Sequence, residues 1–87
     1  MPVQWDDGAQ RDFDNILKNL PQFHRSIAEK LVKEKAESLA EKRNSSLVEK
    51  KDLIVAFFQE VPPAFKDMMK RLMHQHGIDY SAYIDKD

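Results

Sequence analysis

The sequence predicts an all-α fold: a three-helix core with a fourth helix and a C-terminal tail packed on it. Three observations lead there. Only two glycines occur, at 8 and 77, and no segment alternates polar and apolar residues for long, so strands have little to rest on. Apolar residues recur instead at spacings of three and four in four successive segments, the period of a helix with one buried face. Beyond Pro2, the prolines fall between those segments, at 21 and at 62 and 63, where a helix start tolerates them. Residues 1–61 are expected to form the three-helix domain, and 62–87 the fourth helix and tail of the same unit.

The first helix follows Trp5. Asp6 or Asp7 can cap it, and Ala9, Phe13, Ile16, Leu17 and Leu20 give it an apolar stripe, with acidic residues near the positive end of its dipole. "LP" at 20 and 21 ends it. From Pro21 a second and longest helix carries Phe23, Ile27 and Leu31, and on the adjoining row Ala28, Val32, Ala36, Leu39 and Ala40, read together as one stripe about 20 residues long. "RNSS" at 43–46 breaks it, because asparagine tolerates the left-handed conformation and serines favour turns. A third helix follows with Leu53, Ile54, Phe57, Phe58 and Val61, closed by "VPP". Pro62 and Pro63 open the fourth, which presents Phe65, Met68, Met69, Leu72 and Met73 and ends near Gly77. Ile78, Tyr80, Tyr83 and Ile84 remain to pack or dock. The expected inner residues are Trp5, Phe13, Ile16, Leu17, Phe23, Ile27, Leu31, Leu53, Phe57 and Phe58.

Composition narrows the functions open to such a domain. A chain of 87 residues buries roughly 60 to 65% of the surface its unfolded form exposes, leaving little room for a deep active site. Cysteine is absent, which removes disulfides, thiolate nucleophiles and cysteine-held zinc or iron–sulfur clusters. "LIVAFF" at 53–58 is the longest apolar run, far below the ~20 residues a membrane-crossing helix needs. The first residues lack the cationic flank and apolar core of a leader, so a cytoplasmic protein is expected. Net charge is −1. The centre is mildly basic, with eight cations against five anions between 25 and 51. Lys30, Lys33, Lys35, Lys42, Arg43, Lys50 and Lys51 are interleaved with glutamates, which argues for a solvated face and against nucleic acid.

No constellation with catalytic spacing stands out. His74 and His76 are two apart, so on a helix they diverge and cannot share a metal. Ser45 and Ser46 have no neighbouring base and read as caps. His24, between Phe23 and Arg25, can reach a ligand, but reads first as a first-turn surface residue. Arg25 can grip an anion or pair with Asp12, Asp14 or Glu29. Met68, Met69 and Met73 beside Phe65 form either core or an adaptable binding groove.

One family resemblance emerges from these residues. A tryptophan ahead of the first helix (Trp5), Ala9 four residues on, and then "LPQFHRSIAEKLVKEKAESLA" resemble the small C-terminal domain of the B-type polypeptide of light-independent protochlorophyllide reductase. In that pattern a proline, an aromatic and an arginine fall at Pro21, Phe23 and Arg25. A helix with a buried alanine (Ala36) and a third helix starting in "SLVEKKDLIVAF" follow. The likeness spans about residues 3–58. It departs from the family in lacking a glycine after the second helix, in a longer link to the third, and in its cap near Glu49. The resemblance implies an accessory module near a tetrapyrrole site or a protein–protein interface of a nitrogenase-like oxidoreductase of chlorophyll biosynthesis. Without cluster-ligating cysteines or a phosphate-binding glycine loop, the chain cannot carry out that reduction alone. Short helix, long helix, short helix with "VEKKDLIVAF" also resembles a histone-fold unit, which would imply dimerisation on DNA or protein.

The expectation is therefore a binding or accessory module, not catalytic by itself, with no cofactor or metal of its own. Its partner is expected to be another protein, and a tetrapyrrole is the second ligand considered. The expected partner surface comprises Trp5, Phe23, His24, Arg25, Phe65 and Met69.

Overall fold

In the computed structural model, which describes residues 3–81 and 83, four α-helices form the molecule: α1 (Asp7–Lys18), α2 (Gln22–Lys42), α3 (Lys50–Glu60) and α4 (Lys66–Gln75). The all-α architecture is as the sequence predicts. No helix among the described residues is long and apolar enough to cross a membrane.

Each helix boundary has a local cause. Asp6 caps α1, its carboxylate accepting from the Ala9 amide at 3.1 Å. Pro21 stands just before α2, and its carbonyl accepts the Arg25 amide at 2.8 Å. Arg43 ends α2, and Asn44 then takes the left-handed conformation at φ 62°, the role glycine usually fills. Gly77, at φ 70°, does the same after α4. At the head of α3 the Asp52 carboxylate turns back to accept the Glu49 amide at 2.9 Å. One boundary differs from expectation. Pro63 opens a 3-10 turn (Pro63–Phe65) and α4 begins only at Lys66.

One further element has no counterpart in the sequence pattern. Gln4–Trp5 (β1) pairs in parallel with Leu47–Val48 (β2), the Gln4 and Asp6 amides donating to Ser46 and Val48 carbonyls at 2.9 Å each. Two residues per strand are too few to show a period. The pairing ties the entry to α1 to the link between α2 and α3, and it seats Trp5. That indole stacks on Phe13 with ring centroids 5.2 Å apart and donates from Nε1 to Glu37 at 2.9 Å. Trp5 is thus half-buried at the edge of the core.

The core joins Phe13, Ile16 and Leu17 of α1, Val32, Ala36 and Ala40 of α2, Leu53, Ile54, Ala56, Phe57 and Phe58 of α3, and Met69, Leu72 and Met73 of α4. Each large side chain among these contributes about 1.5–3 kcal/mol by leaving water. Ile78 closes the bottom and Tyr80 rests on Phe58, rings 5.7 Å apart. Tyr83 is exposed, and Ile84 lies outside the described residues.

Two buried carboxylates brace this core. Asp52, 4% exposed, receives Arg43 Nε at 3.0 Å and Nη2 at 2.6 Å, a two-pronged ion pair that locks the end of α2 to the start of α3. Burial alone would raise the Asp52 carboxyl, but the hydrogen bonds from Arg43 and from the Glu49 amide outweigh it and hold the group below its ordinary value of 3.8. The hydrogen bond to Asp52 likewise raises the Arg43 guanidinium further. Asp12 of α1 faces Lys50 of α3 at 3.6 Å, and its Oδ2 is buried without a hydrogen-bond partner among the described residues. The Lys50 arm crosses Gly8 on the way, its Cε 3.0 Å from where a side chain's first carbon would stand. A residue larger than glycine would push it aside.

The predicted inner set needs one correction. Phe23, Ile27 and Leu31 are 74%, 46% and 39% exposed. The row that packs is Val32–Ala36–Ala40, about 100° around the helix from the Phe23–Ile27–Leu31 row. What reads as a single stripe is two ridges, and only one of them is covered.

Candidate functional site

The uncovered ridge borders a groove whose origin is simple. Twenty-one residues make α2 about 31 Å long, whereas the eleven of α3 reach about 16 Å. Arg43 and Asp52 fix the C-terminal end of α2 against the N-terminal end of α3, so the two run antiparallel and α3 stops level with the middle of α2. Val61-Pro62-Pro63 prevents it from continuing. Beyond that point the chain swings away through the 3-10 turn into α4, leaving a groove of about 420 Å³ beside the first half of α2.

One wall is the α2 face of Phe23, His24, Ile27, Ala28 and Leu31, and the other is Val61, Pro62, Phe65 and Met68. Leu20, Val32 and Met69, all buried, lie at its base. Other hollows of similar volume are lined by polar residues, as at Ser26, Glu29, Lys30 and Lys33. In the groove the titratable residues are His24 and Glu60 alone. His24 spans its mouth: the imidazole lies edge-on to Phe23 at 5.6 Å and tilted against Phe65 at 5.2 Å.

Of the residues singled out from sequence, the structure brings Phe23, His24, Phe65 and Met69 to this groove. Met69 is buried at its base, not exposed on its surface. Trp5 and Arg25 are not in its lining. Trp5 is held by Phe13 and Glu37. Arg25 makes none of the expected salt bridges: Nε donates to the Leu17 carbonyl at 2.9 Å and Nη2 to the Leu20 carbonyl at 3.1 Å. A cation on the carbonyls that end α1 meets the negative end of the dipole, and at Leu17 it adds to the Leu20 amide, which donates to the same carbonyl at 3.1 Å. Pro21 and Arg25 together hold the corner between α1 and α2, and this corner sets Phe23 outward.

Sequence reading missed Ile27, Leu31 and Val61 as groove walls. The available signal was the short third helix set against the long second one, with "VPP" as the reason. Chemically, the groove offers contact area and one imidazole. No grouping of three histidine or acidic side chains able to hold a metal occurs among the described residues. No family model, curated protein or solved structure matches this chain.

Proposed function

We propose that this chain is a helical binding module, non-catalytic by itself, that takes a protein partner in the groove beside the first half of α2. The observation carrying this reading is Phe23, a phenylalanine three-quarters exposed on the wall of an apolar groove. A side chain of that size in water forgoes about 1.5–3 kcal/mol. Apolar patches rimmed by polar surface mark interaction sites. The expected site set is then Phe23, His24 and Phe65, with Met69 as support beneath them and Arg25 holding the corner from behind.

The resemblance to the small domain of protochlorophyllide reductase implies the same accessory role, and the residues that carry it bear on the fold and not on that role. Pro21 and Arg25 have architectural roles, Ala36 is buried, and Asn44 takes the conformation in which the family would place glycine. A tetrapyrrole ligand is the second reading, favoured by His24 at the mouth of an apolar groove. The histone-like, nucleic-acid alternative is opposed by Glu29, Glu34 and Glu37 among Lys30 and Lys33 on one outer hollow.

Affinity capture with the intact chain and with Phe23→Asp tests the protein reading. A partner retained by the former and lost by the latter, with unchanged thermal melts, is expected. Equal retention by both, or substrate turnover by the purified chain, overturns it. Titration with haemin addresses the second reading: a visible band that shifts, and fails to shift in His24→Ala, would move the assignment to a tetrapyrrole.

A further inference from the structure

We propose that Met68 is a reversible oxidation site: a peroxide converts its thioether to the sulfoxide and makes the wall of the apolar groove polar without unfolding the chain. This rests on the reading of the groove as a binding surface and adds a means of regulating it.

The three methionines of α4 share one chemistry and differ in their surroundings. Met69 and Met73 are 1% and 0% exposed, enclosed in the core beside Leu72. Met68 is only partly buried, packed against the edge of the core and lining the groove. Lys66 and Asp67, just before it, are exposed, so small solutes reach the first turn of α4. Thioether oxidation follows access to the sulfur. With cysteine absent from the chain, no thiol competes for the oxidant.

Hydrogen peroxide alone balances the step. The sulfur lone pair attacks one peroxide oxygen, the O–O bond breaks, and that oxygen stays on sulfur. The other leaves as water with both protons. Sulfur gives up two electrons and the peroxide takes them.

The consequence follows from where the sulfur lies. A sulfoxide is polar and accepts hydrogen bonds, whereas the side chains of Ile27, Val61 and Phe65 in the same lining offer no donor. An oxygen placed among them keeps water in the groove and opposes the burial of an apolar surface there. The fold is spared, because Met69, Leu72 and Met73 still anchor the buried face of α4. The same change at Met69 or Met73 would disrupt the core. Burial protects those two while Met68 responds.

The test treats the intact chain with hydrogen peroxide, follows each methionine by peptide mass spectrometry, and titrates the chain with anilinonaphthalene sulfonate, a dye that reports exposed apolar surface. Met68 sulfoxide should form at least about tenfold faster than the sulfoxides of Met69 and Met73. At that stage thermal melts should be unchanged and the dye's Kd should have risen at least about threefold. Methionine sulfoxide reductases should restore it. In Met68→Leu, whatever its starting Kd, peroxide should leave the value where it began. Oxidation of Met69 or Met73 as fast as Met68, or a Kd that peroxide does not move, would overturn the inference. Phe23→Ser separates the two readings. Dye binding weakened by Phe23→Ser but insensitive to peroxide would sink the oxidation site and leave the groove standing, whereas binding that Phe23→Ser does not alter would remove both.

Discussion

The two halves of α2 invert the usual expectation for apolar residues. The C-terminal half, which carries small ones, Val32, Ala36 and Ala40, is the half that is buried; the N-terminal half, which carries the large Phe23, Ile27 and Leu31, is the half left in water. Size explains the first. Alanines at four-residue spacing let α3 approach closely, so that Phe57 and Leu53 can fill the space between. Facing and length together explain the second: Leu31 lies about 100° around the helix from the buried Val32, and α3 ends at Glu60. A long helix can therefore serve two purposes at once: one half is cemented into the core and the other is held out rigidly by it. A binding face built on such a helix loses little freedom on association.

Substitutions can break this contrast or sharpen it. The largest effect should come from the cemented half's filler: Phe57→Ala should lose about 3–5 kcal/mol in urea denaturation followed by circular dichroism. A loss under ~1 kcal/mol would mean that α2 and α3 are not close-packed there. Asp52→Ala should lose about 2–3 kcal/mol, less than the ~3–5 of a wholly buried pair because the Arg43 end is 30% exposed and can rehydrate.

The same carboxylate makes a pH prediction. Its folded-state value lies below its unfolded value of about 3.8. Its contribution is therefore complete above that unfolded value and disappears as pH falls through the lower folded one. Thermal melts should steepen in their decline below about pH 4, and Asp52→Asn should flatten that acid limb. An unchanged limb would remove Asp52 from the account. Arg25→Ala, which uncaps the corner carrying the exposed half, should cost about 1–2 kcal/mol, with Arg25→Lys recovering part of it. Smallest of all, Phe23→Ser or Ile27→Ser should alter stability by no more than ~0.5 kcal/mol. A larger drop would show that the groove wall belongs to the core.

Much of this fold is legible in the residues. Asp6 as a cap, Pro21 as a corner, Asn44 as a left-handed stop and "VPP" as the end of α3 each act within a few positions of themselves. Local chemistry is what sequence patterns record. The candidate site is legible in part. Type and setting mark Phe23, His24 and Phe65, but Trp5 joins them only because it precedes the first helix, and the pairing of Gln4–Trp5 with Leu47–Val48 sends it to Glu37 instead. Proximity along the chain offers Arg25 acidic partners, although its donors reach the Leu17 and Leu20 carbonyls, which the turn at Pro21 brings beside it.

The residues alone determined that this protein is helical, where each helix but the fourth starts and stops to within a few residues, and that α3 is about half as long as α2, since propensity, capping and proline placement depend on near neighbours. Which of the two ridges on α2 is covered was decided only when the helices packed. Helical periodicity gives both ridges the same signature, and the difference between core and groove arises from which side of α2 the distant segments pack against and how far they reach.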